Sequence, residues 1–289
     1  MKNSASKAAS GGADLHVHTL YSDSTLSPAE VVEAAKTAGL SHVGITDHDS
    51  IEGIPEAVVA AKTTPVEVVS GVEISTRLNH AEIHILGLFI RKGRGSLAGF
   101  LRTRREERKA RIYEMTNKLN ALGLGITAEE IFAVAGKGAP GRMHVAEALL
   151  RAGKIGSIPE AFHRFIGDDG PAYVPREIVT PAQAVAHIRS AGGVPVLAHP
   201  GLNNCDELIP ALVESGVMGI EVYYPTHTSV QQEFYLRIAE KHHLLVSGGS
   251  DNHGRFKDGI AIGEVRISLD LVSRLRDAAQ PLRHARSQG

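Results

Sequence analysis

Short runs rich in β-branched residues recur along this chain: Ala13–His18, His42–Thr46, Val66–Ile74, Ile83–Phe89, Val194–Ala198, Gly219–Val222 and Leu244–Ser247. Between most of them lie stretches whose apolar residues fall three and four apart, the period of a helix. Ser27–Pro28 combines an N-cap with proline at the first helical position, and Gly39 supplies the stop. Thr180–Pro181 and Gly192–Gly193 repeat that start and stop. Strands alternating with helices predict a parallel sheet covered on its faces, either open or closed into a barrel. A length of 289 residues suits one large α/β domain with room for a smaller insertion.

The rhythm stops between about Gly95 and Thr180. There the chain reads as helical and polar, through Leu101–Leu122, Ala128–Ala135 and His144–Ala152, with no convincing strand. The expectation is a discontinuous α/β domain, residues 12–95 and 181–270, interrupted by a helical insertion at 96–180. Residues 1–11 read as a loose polar tail without the apolar stretch of a secretory signal. Residues 271–289 read as one helix that then frays.

The chemistry gathers where the apolar runs end. In Asp14-Leu-His16-Val-His18, residues two apart on a strand share a face, so all three polar side chains project together. His16 and His18 fall at the strand's C-terminal end, where parallel α/β folds place their sites. Asp23 follows in a loop. Thr46-Asp47-His48-Asp49 ends the second run, Gly71-Val-Glu73 the third, and Glu82-Ile-His84 lies in the fourth. Leu197-Ala-His199-Pro200 and Ser250-Asp251-Asn-His253 repeat the pattern near the other end. Any one of these is an ordinary charged strand end. Their joint recurrence points to metal ligands.

With these motifs in order, the chain resembles the PHP (polymerase and histidinol phosphatase) family. The matching segments are Asp14-Leu-His16-Val-His18, Thr46-Asp47-His48-Asp49, Gly71-Val-Glu73, Ile83-His84-Ile-Leu-Gly87, Ala198-His199-Pro200 and Ser250-Asp251-Asn252-His253. The resemblance is greatest to the bacterial branch acting on nucleotide 3′,5′-bisphosphates and the 5′ ends of short oligoribonucleotides. Gly141-Arg142-Met-His144 and Ala172-Tyr173-Val174-Pro175 of the insertion look like that branch too. The resemblance implies a distorted seven-stranded β/α barrel and a phosphoesterase with two or three metals. It implies one metal on His16, His18, Glu73 and Asp251, a second sharing Glu73 with His84 and His199, and a third on Asp23, His48 and His253. It also implies that Asp23, His48, Glu73, His199, Asp251 and His253 serve catalysis. Arg142, with His144 beside it, either contacts the phosphate of the substrate that does not react, which a guanidinium fork suits, or is a surface arginine opening the helix through Leu150. Ser24 stands where the family commonly has Gly, and Asn252 where an aromatic is frequent; neither change removes a ligand.

Imidazole mixed with carboxylate suits Mn²⁺, Fe²⁺ or Zn²⁺ better than Mg²⁺, which prefers oxygen shells. Asp14, Asp47 and Asp49 are candidates to orient the ligating histidines, with loop capping an equal alternative for Asp49. His227, in Tyr224-Pro-Thr-His227, follows a strand end and either reaches substrate or packs. His80 precedes the strand bearing His84 and is the weaker ligand. His42, His187, His242, His243 and His284 lack acidic neighbours at ligand spacing and read as surface or packing residues. The basic run from Arg102 to Arg111 is either a solvated helix face or a guide for an anionic substrate.

A net charge of −1 argues against stable binding to duplex nucleic acid. The lone Cys205 and the lack of a 20-residue apolar run point to a cytoplasmic protein and away from a membrane. Histidinol-phosphate phosphatase is an alternative within the family. A metal-bound regulatory module without catalysis is an alternative of another class, and the full ligand set weighs against it.

Overall fold

Each apolar run becomes a strand. The computed structural model describes residues 11–79, 81–91, 93, 95–175, 177–202, 206–256 and 259–279. The strands are β1 (Ala13–Asp14), β2 (His42–Ile45), β3 (Glu67–Leu78), β4 (Ala81–Leu88), β5 (Val194–Leu197), β6 (Gly219–Tyr223) and β7 (Leu245–Gly248). They form one seven-stranded sheet in sequential order. Backbone bonds from Leu15 N to Gly248 O (3.2 Å), Asp251 N to His16 O (2.7 Å) and His18 N to Asn252 O (3.0 Å) join its two ends. The sheet is thereby nearly closed into a barrel with helices around it.

Two expectations change. The sheet is mixed: β4 runs antiparallel to both β3 and β5. Only two positions separate β3 from β4, too few for the crossover a parallel pair needs. β1 is also shorter than expected, because beyond Asp14 its backbone leaves the ladder. Val17 N donates to Thr46 Oγ1 at 3.0 Å, and the neighbouring bonds go to the segment after β7.

Helices α1 (Pro28–Thr37) and α2 (Ile54–Ala61) follow β1 and β2. Ser27 caps α1 reciprocally with Glu30, and Gly39 stops it in the left-handed region at φ +73°. Between β4 and β5 lie α3 (Leu97–Ala121), α4 (Ala128–Ala135), α5 (Arg142–Arg151) and α6 (Ile158–Ala161), then a π-helical turn at Phe162–Ile166 and α7 (Pro181–Ser190). Thr180 and Gln183 cap α7 as Ser27 and Glu30 cap α1. The chain ends through α8 (Ile209–Glu214), α9 (Ser229–Lys241) and α10 (Leu269–Ala279).

Apolar burial divides the same way. One cluster joins Val31, Ile45, Ile74, Ile83, Ile188 and Ile220, between the sheet and its helices. Another holds Ile112, Met115, Leu119, Ile131, Val145 and Leu149, all between β4 and α7. That helical segment therefore has an apolar core of its own, and no strand occurs in it among the described residues.

Candidate metal centre

Glu73 is the hub. It lies on β3 with its side chain 1% exposed, and both carboxylate oxygens face imidazoles. Oε2 is 3.2 Å from His16 Nε2, 3.1 Å from His18 Nε2 and 3.2 Å from His48 Nδ1. Oε1 is 2.9 Å from His84 Nδ1 and 3.0 Å from His199 Nε2. The β3–β4 register explains one of these contacts: Ser75 opposes His84, so Glu73, two residues earlier, shares its face.

Three groups of side chains could hold a metal ion: His16, His18, Glu73 and Asp251; His18, Asp23, His48 and His253; and His48, Glu73 and His84. In the first, His16 Nε2 and His18 Nε2 lie 3.2 Å apart. Asp251 Oδ1 is 3.2 and 3.1 Å from these two nitrogens. Ligand bonds of about 2.0 Å around a tetrahedral ion would give edges of about 3.3 Å, close to these spacings. Glu73 Oε2, His48 Nδ1 and Asp23 Oδ1 are buried without a hydrogen-bond partner, which a shared cation would resolve. The donor set therefore fits divalent transition metal.

Electrostatics agree. Burial opposes a charge on His18, yet Asp251 and Glu73 outweigh it and push its pKa up to about 10. His84 rises to about 9 against its own burial, chiefly through Glu73. His16 is held well above the usual range: burial lowers it, and Asp251, Glu221 and Glu73 more than compensate. His48 is pushed down to about 3, because burial dominates there. Glu73 resists its burial penalty and stays well below the usual carboxylate range, with His48 and His16 the leading causes. These carboxylates thus favour positive charge on three of the four imidazoles, the electrostatics of a cation site.

The other expected residues separate. His253 lies with its Nε2 3.4 Å from Asp23 Oδ1 and its ring stacked on His18 at 4.0 Å. Of the three aspartates expected to orient histidines, only Asp47 connects to an imidazole, and through Ser22, while Asp14 Oδ1 accepts the backbone N–H of His16 at 3.4 Å. Ser22 Oγ donates to Asp47 Oδ1 at 2.7 Å and lies 3.3 Å from His18 Nδ1. Asp14 also accepts backbone N–H from Ser250 and Gly263, both at 2.9 Å; its backbone-bound carboxyl, raised to about 6 by burial, holds a loop and orients no ring. Asp49 is clamped by Arg108 of α3, whose Nε lies 3.1 Å from Oδ2.

Of the two roles open to His227, its contacts are those of packing. It is buried, with Nδ1 on Val222 O at 2.9 Å and Nε2 accepting Gly201 N–H at 3.2 Å. Both nitrogens are thus committed to backbone. His144 is buried with Nδ1 accepting from Gly141 N at 3.1 Å, closing the start of α5. Asn252 binds Ile260 O and Gly254 N, and Ser24 accepts from Leu26 N, so both unusual residues brace loops. His42 pairs with Glu67 across strands at 3.2 Å, and His187 stacks on Phe100. His80, Cys205 and His284 lie outside the described residues.

Beside the ligands opens a cleft of about 220 Å³. Asp23, His48 and His84 line it from the barrel, and Arg108, Arg111, Arg142 and His144 from the helical segment. The basic run of α3 thus divides. Arg108 and Arg111 face the cleft, while Lys109 pairs with Glu106 at 2.8 Å on the surface.

Two participants went unread in the sequence. Glu221 of β6 is fully buried, its Oε1 3.0 Å from His16 Nδ1. Tyr224 donates its hydroxyl to Asp251 Oδ2 at 2.9 Å. A carboxylate inside the apolar run Gly219–Tyr223 was the available signal, since a buried charge requires partners.

Residues 14–134 match the model of the PHP domain. The chain is 35% identical over 265 residues to a 5′-3′ exoribonuclease of Haemophilus influenzae, covering 90% of this chain and 94% of that one. It is 31% identical to a 3′,5′-nucleoside bisphosphate phosphatase of Chromobacterium violaceum, over 86% of this chain and 90% of the relative. A crystal structure from Bifidobacterium adolescentis, described as a candidate metal-dependent phosphoesterase, superposes with a TM-score of 0.83 at 31% identity, covering 93% and 96% of the two chains.

Proposed function

The chain belongs to the PHP family of metal-dependent phosphoesterases, and on that premise we propose that it hydrolyses nucleoside 3′,5′-bisphosphates and the 5′ ends of short oligoribonucleotides. The observation that carries this reading is the placement of Arg108, Arg111 and Arg142 across one cleft from Asp23, His48 and His84. A substrate with two phosphates needs two anion sites. The metal ligands supply one, and guanidinium groups, whose planar fork matches phosphate oxygens, supply the other.

In this reading His16, His18, Glu73 and Asp251 hold one ion. Glu73, His84 and His199 hold a second, and Asp23, His48 and His253 a third. Manganese, iron and zinc are the metals that suit these donors. Such ions supply an acidified attacking water and neutralise charge on the phosphoryl oxygens. The chain's own residues do the rest. Arg142 binds the phosphate that does not react, and Arg108 stays aimed into the cleft because Asp49 clamps it. His144 closes the first turn of α5, the helix that Arg142 opens at the cleft wall.

We further take residues 12–95 and 181–270 as the barrel and 96–180 as an insertion that brings substrate contacts to it. No helix among the described residues is long and apolar enough to cross a membrane, and a cytoplasmic location suits nucleotide substrates. Relatives named for nucleotide and RNA substrates favour this reading over histidinol phosphate. A panel of phosphoesters assayed with Mn²⁺ tests it. Adenosine 3′,5′-bisphosphate should be hydrolysed with higher kcat/KM than adenosine 5′-monophosphate or histidinol phosphate. Preference for histidinol phosphate would refute it.

A further inference from the structure

Glu221 touches two ligand-bearing segments with one carboxylate. Oε1 lies 3.0 Å from His16 Nδ1, and Oε2 accepts the backbone N–H of His199 at 2.8 Å. His16 and His199 come from opposite ends of the chain, and in the proposed assignment they serve different ions. His199 has a backbone φ of +27°, a conformation that a residue with a side chain adopts only when held there. From within β6, Glu221 reaches the end of β5 on one side and the segment after β1 on the other.

We propose that Glu221 is a positioning residue that couples the two metal sites. It fixes the Nδ1–H tautomer of His16, which leaves Nε2 unprotonated toward Glu73 and Asp251, each 3.2 Å away. It also holds His199 in the strained turn that points its Nε2 at Glu73 Oε1, 3.0 Å away. A partner hydrogen-bonded to the non-ligating nitrogen sets the tautomer and orientation of a ligating histidine. Here one group does so for one site and sets the backbone of the other. The inference rests on the metal reading above.

Glu221→Gln separates the two bonds, because an amide has one accepting oxygen and both neighbours are donors. If its oxygen faces His16, the NH₂ meets the His199 N–H and releases that turn. If its NH₂ faces His16, it donates to Nδ1 and drives the ring proton to Nε2, the atom meant for metal. Either way one site weakens. Zn²⁺ titration of metal-free wild type and variant should show loss of about ten- to a hundredfold in affinity for one ion. Uptake by the variant equal to wild type in number and affinity overturns the coupling and leaves the metal reading intact. Failure of the wild type to bind Zn²⁺ overturns both. ¹⁵N spectra of Zn²⁺-loaded wild type test the tautomer without a variant: His16 Nδ1 should be protonated, and protonation at Nε2 overturns the inference.

Discussion

Replacing Glu73 by glutamine tests the centre at its most connected point. The carboxylate is buried and faces five imidazoles, three on Oε2 and two on Oε1, at 2.9–3.2 Å. The amide keeps the shape, removes the charge and turns an NH₂ toward one of those two sets. Removing one partner of a buried, paired charge costs about 3–5 kcal/mol. At 1.36 kcal/mol per tenfold, metal affinity should fall by roughly two to nearly four powers of ten. Repulsion between neighbouring cations, no longer offset by a shared anion, acts in the same direction. Dialysed Glu73→Gln should therefore contain less metal than wild type by elemental analysis, and its phosphoesterase rate should fall with its occupancy. Wild-type metal content together with wild-type rate would refute Glu73 as the shared ligand.

Two further outcomes follow from the same contacts. Arg142→Ala should lower kcat/KM on adenosine 3′,5′-bisphosphate about ten- to a hundredfold, the worth of a charge-assisted bond of roughly 1.5–3 kcal/mol, and leave a monophosphate nearly unchanged; equal loss on both would place Arg142 at the reacting phosphate. Its ion pair with the exposed Asp168, at 2.6 Å, is too weak a competitor to cancel that effect. Metal uptake near pH 7 should release protons, because His18 and His84 titrate at about 10 and 9 and must be neutral to ligate. Zn²⁺ affinity should accordingly climb between about pH 6 and 8, and uptake without proton release in weakly buffered solution would contradict this. Without metal the sign reverses: the stabilisation from protonated His18 and His84 is complete below about pH 6.5 and is lost as pH rises through about 9 to 10.

Residues that repeat a local rule were legible in the sequence. The β-branched runs fall on the strands, and Ser27–Pro28 and Thr180–Pro181 open helices because cap chemistry is local. The clustering of the candidate ligands was legible because most of them lie at or just beyond the end of an apolar run, and a barrel brings strand ends together whatever their separation in the chain. The antiparallel β4 was missed because apolar composition carries no direction; the short link from Leu78 to Ala81 held that information. The partners of Asp14 and Asp49 were not legible for a related reason. Spacing along one strand fixes the face of a side chain but not which backbone or arginine from a distant segment meets it. Glu221 and Arg108 were missed as partners of His16 and Asp49 because those contacts join β6 to the segment after β1 and α3 to the segment after β2, 205 and 59 residues apart in sequence.

The strain at the barrel mouth argues that the ligands are held for use. Asp49, His199 and Asp251 have φ of +48°, +27° and +49°, and each directly follows or carries a ligand side chain. Such residues cost roughly 1–3 kcal/mol each, so each needs an anchor. Asp251 N binds His16 O at 2.7 Å, and Asp49 N binds Glu73 O at 2.9 Å. His199 N binds Glu221 at 2.8 Å. Each anchor thus comes from a different strand or the segment after it, and the one that holds Asp251 also joins the two ends of the sheet. The turns in turn aim imidazoles and carboxylates into one buried space, where Glu73 and His48 keep atoms without hydrogen bonds. Glycine in these places would relieve the strain, and apolar side chains would remove the buried charge. An arrangement that bears both costs is accounted for by a ligand that compensates them, and divalent cations fit that role.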